Sequence, residues 1–246
     1  MQASDSHVGR HKTVAVVLVH GAYHGAWCWE EVEPPLTRRG WDVSAIDLPM
    51  TSLSADGDTV RAAVRSARKR ADAVLLVGHS YGGFPISQGG HEADHLAFVA
   101  AAVPDAGDCV ESLAPRSGVP HLADAVIRSP DGLSTSINPD HAGTIFYHRC
   151  HPDQIAKAVA RLRPRGVRTL DERIGHPAWK DIPSSYLVSS DDRSSSPGYQ
   201  LERAKLIGDY AVLDTDHSPF YSATTALVEW LDALASRLAS SSTDDE

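Results

Sequence analysis

The sequence predicts an α/β protein: a doubly wound, mostly parallel sheet of about six strands, with a helical lid inserted after the fourth. Three observations carry that expectation. Short aliphatic runs alternate with longer amphipathic ones along the chain. The runs are apolar at successive positions rather than at every second one, as expected of parallel strands covered on both faces. One long interval, 105–183, lacks such runs and holds prolines, glycines and helix-like pieces instead.

TVAVVLV (13–19) is the first strand. WCWEEVEPPLTRRG (27–40) reads as a helix closed by Gly40, and WDVSAIDL (41–48) as the second strand. Residues 57–72 have a helical period, with Val60, Ala63, Val64 and Ala67 on one face and arginines opposite. AVLLVG (73–78) is the third strand, and a turn at Ser80 leads into a helix from near Tyr81. LAFVAAAV (96–103) is the fourth strand, SSYLVSS (184–190) the fifth and DYAVLD (209–214) the sixth. PGYQLERAKLIG lies between the last two, and SATTALVEWLDALASRL closes the chain as an amphipathic helix. The organisation expected is a core of 13–104 and 184–240, a lid over 105–183, and flexible tails at 1–12 and 241–246. Nearly eighty residues between two strands are too many for a plain connection.

Composition narrows the function classes. A net charge of −9, from 23 basic and 32 acidic residues, argues against nucleic acid or an anionic membrane as partner. Cys28, Cys109 and Cys150 are odd in number and form no C-x-x-C pair. A disulfide framework and a structural zinc site are therefore not expected, and a reducing compartment is. The first dozen residues hold no apolar core of the kind a secretory signal needs, so a cytoplasmic monomer or homodimer is anticipated.

The chemistry is concentrated at VLLVGHSYGG, where strand, G-x-S-x-G and helix follow one another. In such an elbow the serine occupies a strained turn that only small neighbours permit. Its hydroxyl projects from the carboxyl end of the strand, and the next backbone N–H points at a developing oxyanion. Ser80 is thus the candidate nucleophile and Tyr81 a candidate oxyanion donor. A base must follow late in the chain, and His217 in LDTDHSPF lies between the last strand and the last helix. The adjacent His79 is assigned a supporting role. The orienting carboxylate is sought just past the fifth strand, where Asp191 and Asp192 are neighbours; Asp192 is preferred, and Asp105, past the fourth strand, is the runner-up. A second oxyanion donor belongs in the loop after the first strand, LVHGAYHGAWCW, where Gly21 permits close approach and Ala22 offers its N–H. His24, Trp27 and Trp29 are read as packing and hydrogen-bonding support.

These segments resemble the α/β-hydrolase fold, and within it the family of plant methylesterases, hydroxynitrile lyases and their bacterial esterase relatives. HGAYHGAWCW is similar to that family's H-G-x-x-H-G-A-W-x-W, and FYHRCHPDQIAKAVARLRP to its F/L-Y-x-x-C-x-P-[E/D] segment. AAVPD, GHSYGG and DHSPFYS match as well, so the resemblance runs from Thr13 to Leu238. It implies that the acid is Asp192, since Tyr186 and Pro197 align around it. The lyases carry a threonine where this chain has Gly21 and a lysine where it has Ser218, so the resemblance implies the esterase branch. Gly132 stands near where the lyases keep a tryptophan. The expectation is a serine hydrolase of small apolar or aromatic carboxylic esters, needing no metal or cofactor. Gly21, His24, Gly132, Phe146, Tyr147, Trp179 and Ser218 are candidates for its substrate pocket. The alternatives are a lyase-like or other non-hydrolytic enzyme using the same three residues, and a ligand-binding homologue without turnover.

Overall fold

The computed structural model describes residues 12–118 and 120–240. The two expected tails, Lys12 aside, lie outside the described residues. Five valine- and leucine-rich or mixed segments and one more polar one build the main sheet: β1 (Val14–Val19), β2 (Asp42–Ile46), β3 (Ala73–His79), β4 (His95–Val99), and, after an insertion, β8 (Ser184–Ser189) and β9 (Asp209–Leu213). Their order is β2-β1-β3-β4-β8-β9, and every pairing is parallel. All residues of β1 and β3 are buried. Both faces carry helices, which explains why these strands read as unbroken apolar runs rather than alternating ones.

One face packs Trp29, Leu36, Phe220 and Leu231 against Val16, Leu18 and Leu75. The other packs Val60, Val64, Phe84 and Tyr186 against Val17, Leu76 and Phe98. Burial of each such aliphatic or aromatic side chain contributes about 1.5–3 kcal/mol.

Several boundaries differ from the sequence reading. The expected helix over 27–40 divides into a 3₁₀ turn, Ala26–Trp29, and a short α-helix, Glu33–Arg38. Pro34 and Pro35 explain the break: lacking N–H donors, they fit only the first turn of a helix. The helix expected from near Tyr81 starts at Gly83, after a 3₁₀ turn over Ser80–Gly82. The fourth strand stops at Val99 because Ala100 takes φ +45°.

The insertion between β4 and β8 is mainly helical, but it also contains β5 (Val126–Arg128), β6 (Ser134–Ile137) and β7 (Arg165–Gly166). They form an antiparallel three-stranded sheet in the order β5-β6-β7. Strands this short show no usable period in the sequence. The insertion is tied to the loops of the main sheet by Arg163, which donates from Nε to the His24 carbonyl (2.7 Å) and from Nη2 to Asp47 (3.1 Å) and the Leu48 carbonyl (3.0 Å). Its own N–H donates to the Tyr23 carbonyl at 2.9 Å.

Arg163→Met removes the charge-assisted bonds while keeping the aliphatic stem. It is expected to destabilise the fold by about 1–3 kcal/mol, read as a lower urea midpoint with an unchanged slope.

Candidate active site

Ser80 stands at the crossing of β3 with the helix Gly83–Gly89, in a left-handed backbone conformation (φ +55°). The turn is compact enough that a Cβ on Gly78 would fall 2.8 Å from the Gly82 carbonyl oxygen. The Ser80 carbonyl accepts from Ala102 N–H (3.0 Å), which ties the turn to the end of β4. From the other side the loop after β1 presses in. A Cβ on Gly21 would lie 2.8 Å from Ser80 Cβ and 2.9 Å from His79 Nδ1. No side chain fits there without moving the turn.

The parallel sheet brings the loop after β9 beside this turn. Ser80 O–H donates to His217 Nε2 (2.9 Å), and His217 Nδ1–H donates to Asp192 Oδ2 (2.7 Å). Asp192 is fully enclosed and also accepts from Ser194 N–H (2.7 Å), Ser195 N–H (2.8 Å) and Gln200 Nε2 (2.7 Å). A carboxylate removed from water needs such a set of donors to remain ionised. Asp191 points elsewhere: it is half-exposed and meets His148 Nε2 at 3.0 Å. Asp105 pairs with Lys180 (2.8 Å) and Arg203 (2.9 Å). An imidazole held between a hydroxyl and a buried carboxylate can take the hydroxyl proton and be stabilised as the cation that results.

The His217 loop is fixed by Asp216, which accepts from Ser218 N–H (3.0 Å), the Ser222 hydroxyl (2.6 Å) and Arg149 N–H of the insertion (2.9 Å). The side chain bonding two residues ahead is an Asx turn, a signal the TDHSP segment carries in its sequence. His79, wholly buried, donates from Nε2 to the His217 carbonyl (2.8 Å). In the facing loop, His24 Nδ1–H donates to the Ala22 carbonyl (2.7 Å), and Tyr147 O–H donates to His24 Nε2 (2.6 Å). One tyrosine of the insertion thereby fixes the tautomer of the histidine that holds the Ala22 peptide.

Above Ser80 lies a cavity of about 490 Å³, within the size range of small-molecule sites. Ala22, Tyr81, Phe84 and Phe146 are in its wall with Ser80. Several of the pocket candidates lie outside this wall. Gly132 sits in an exposed turn with φ +71° and open space around it, where a glycine serves the turn. Trp179 packs in the core against the outer face of the sheet and donates to the Pro104 carbonyl (2.6 Å). His24 and Tyr147 are buried behind the wall, bonded to each other. Ser218 is likewise fully buried with an unpartnered Oγ, and Gly21 lies beneath Ser80 rather than in the wall. Residues that sequence reasoning missed include Gln200, concealed within a helix, and Arg165, which reaches the cavity from β7. Among the described residues no group of three or more His, Cys, Asp or Glu side chains is gathered as a metal site. No helix among them is long and apolar enough to cross a membrane.

The sequence matches the alpha/beta hydrolase family over residues 16–230. Norfluorocurarine synthase 1 of Strychnos nux-vomica is 29% identical to it, over 90% of this chain and 95% of that protein. Methylesterase 3 of Arabidopsis thaliana is 28% identical, over 91% of this chain and 97% of its own length. The fold is similar to that of a pyrethroid hydrolase from Sphingobium faniae JZ-2, with a TM-score of 0.78 at 20% identity, covering 91% of this chain and 98% of the other.

Burial leaves three histidines around the site, His20, His24 and His79, neutral. It lowers His20 to about 4, His24 to about 3 and His79 well below the ordinary 6.5. Below pH 6.5 the unfolded chain therefore binds protons that the folded protein refuses. The stability these groups allow is complete above 6.5 and is lost as the pH falls toward 4, by about 1.4 kcal/mol per pH unit for each group. Asp56, its carboxyl raised by burial, acts in the opposite sense. The urea midpoint should fall steeply from pH 6.5 to 4.5, and His24→Gln should make that fall shallower. A midpoint independent of pH over this range would contradict the neutral assignment.

Proposed function

The chain belongs to the alpha/beta hydrolase family, and we propose that it is a serine carboxylic-ester hydrolase with Ser80 as nucleophile, His217 as base and Asp192 as orienting carboxylate. The reading is carried by one observation: the continuous hydrogen-bonded line from Ser80 Oγ through His217 to Asp192, opening onto the cavity. In this reaction Ser80 Oγ attacks the ester carbonyl while its proton passes to His217 Nε2. Asp192 holds the imidazolium, and the N–H groups of Ala22 and Tyr81 receive the charge on the carbonyl oxygen. Collapse expels the alcohol, which takes the proton from His217. Water, deprotonated by the same nitrogen, then releases the acid from Ser80. The insertion acts as a lid, with Phe146 over the imidazole at a ring separation of 5.6 Å. Small apolar or aromatic esters suit a largely apolar wall.

The methylesterase name of one relative agrees with this reading. Cyanohydrin cleavage is disfavoured here, because Gly21 brings no hydroxyl and Ser218 no cation to the site. A threonine at 21 would collide with Ser80 Cβ and the His79 ring.

Ser80→Ala should retain the thermal melting profile and lower turnover of a short p-nitrophenyl ester by roughly 10⁴-fold or more. Asp192→Asn should cost about 10³-fold, while Asp191→Asn changes little. A reversed order within the aspartate pair would move the acid to Asp191. With mandelonitrile the unmodified protein should release no cyanide above the uncatalysed rate. Gly21→Thr should weaken ester hydrolysis by about 10–10²-fold. Rapid cyanide release that disappears in Ser80→Ala would replace the esterase reading with a lyase.

A further inference from the structure

Among the described residues that line the cavity, Arg165 is the only basic one. It is 6% exposed, yet it forms no ion pair within 4.0 Å among the described residues, and its Nε has no hydrogen-bond partner. A guanidinium taken out of water without a direct ion pair is costly. What compensates it here is stacking: the guanidinium lies over the rings of Tyr23 (5.1 Å to the centroid) and Tyr81 (5.4 Å). Such contacts are worth about 0.5–2 kcal/mol each and leave the in-plane donors of the fork unused.

Asp56 lies near enough to interact with the Arg165 charge, but its oxygens are bonded elsewhere. Asp56 spends Oδ1 on Met50 N–H (2.8 Å) and Oδ2 on Tyr81 O–H (2.8 Å). Glu111 lies on an exposed helical face at the edge of the cavity. The arginine is also held rigidly. Arg165 pairs with Thr135 in the small sheet, Thr135 meets Tyr23 O–H at 3.2 Å, and the next N–H, of Gly166, donates to the Met50 carbonyl (2.7 Å). A fixed, desolvated fork with free donors in an apolar wall suits a planar anion with two oxygens. Because one cation stands alone there, it balances a single negative charge, which favours a carboxylate over a phosphate dianion.

We infer that Arg165 is a carboxylate-binding subsite, and that the ester taken by this enzyme carries a second, ionised carboxyl group. This rests on the esterase reading above and narrows its substrates to half-esters of short dicarboxylic acids, whose apolar chain meets the wall and whose carboxylate meets Arg165. Tyr81 spans the two subsites, its N–H beside Ser80 and its ring beneath the guanidinium. The reacting carbonyl and the free carboxylate are thus one tyrosine side chain apart. Hydrolysis consumes one water, breaks the acyl–oxygen bond, and yields the alcohol, the dicarboxylate and one proton. Arg165 holds the carboxylate that does not react.

The test compares monomethyl glutarate with methyl pentanoate, esters of the same chain length that differ in a terminal carboxylate. For the full-length enzyme, kcat/KM should favour the half-ester by about tenfold or more. Arg165→Met should abolish that preference, chiefly through KM, and Arg165→Lys should retain part of it. Independently of turnover, glutarate should bind Ser80→Ala saturably in calorimetry, and adding Arg165→Met should remove that binding. Equal kcat/KM for the two esters, together with no glutarate binding, would overturn the subsite whether or not Arg165→Met folds. If neither ester is turned over while glutarate still binds through Arg165, the esterase reading fails and the subsite stands.

Discussion

The positive φ of Ser80 is the constraint on which the rest of the site depends. A non-glycine residue in that region carries strain of order 1–3 kcal/mol, and it persists only where the surroundings over-determine it. Here three backbones do so: the end of β3, the loop after β1 pressing at Gly21, and the end of β4 bonding the Ser80 carbonyl through Ala102 N–H. Nothing larger than hydrogen can stand at Gly21 while this packing holds. The parallel order of the sheet is what brings these segments, and the loop after β9, to one end.

Around that turn the structure places buried polar groups that hold one another by hydrogen bonds. Asp192 receives four hydrogen bonds, and Asp216 fixes the loop of the neighbouring histidine. His24 passes orientation from Tyr147 in the insertion to the Ala22 peptide, and His79 anchors the backbone of His217. Each partner lies in a separate element, so the geometry at Ser80 depends on the insertion and the sheet being docked together. Because burial keeps His20, His24 and His79 neutral, this arrangement weakens as the pH falls below 6.5. Arg165 stands apart from these groups as a buried cation whose partners are aromatic faces.

Much of the sheet and of the Ser80 region was legible in the sequence, for physical reasons that can be named. The valine-rich runs of β1 and β3 are dictated by burial on both faces. Glycines around Ser80 and Gly21 record close approaches of backbone. Choosing Asp192 over its neighbour needed loop context and family resemblance; in three dimensions the two carboxylates point to different partners, Asp192 to His217 and Asp191 to His148. Other features left no readable trace. The strands of the small sheet are two to four residues long, too short for periodicity. Trp179 and Tyr147 look like pocket aromatics in one dimension, but their polar atoms are committed to Pro104 and His24. Arg165 resembles any other basic residue in RLRPRG until the fold buries it.

The proposed esterase requires that the Ser80 hydroxyl, alone among the many in this chain, is activated. A fluorophosphonate probe followed by peptide mass spectrometry tests it directly. A single stoichiometric adduct on the peptide containing Ser80, formed far more slowly in His217→Ala, is the result expected. Labelling at another residue, or labelling of Ser80 at the same rate without His217, would contradict the account.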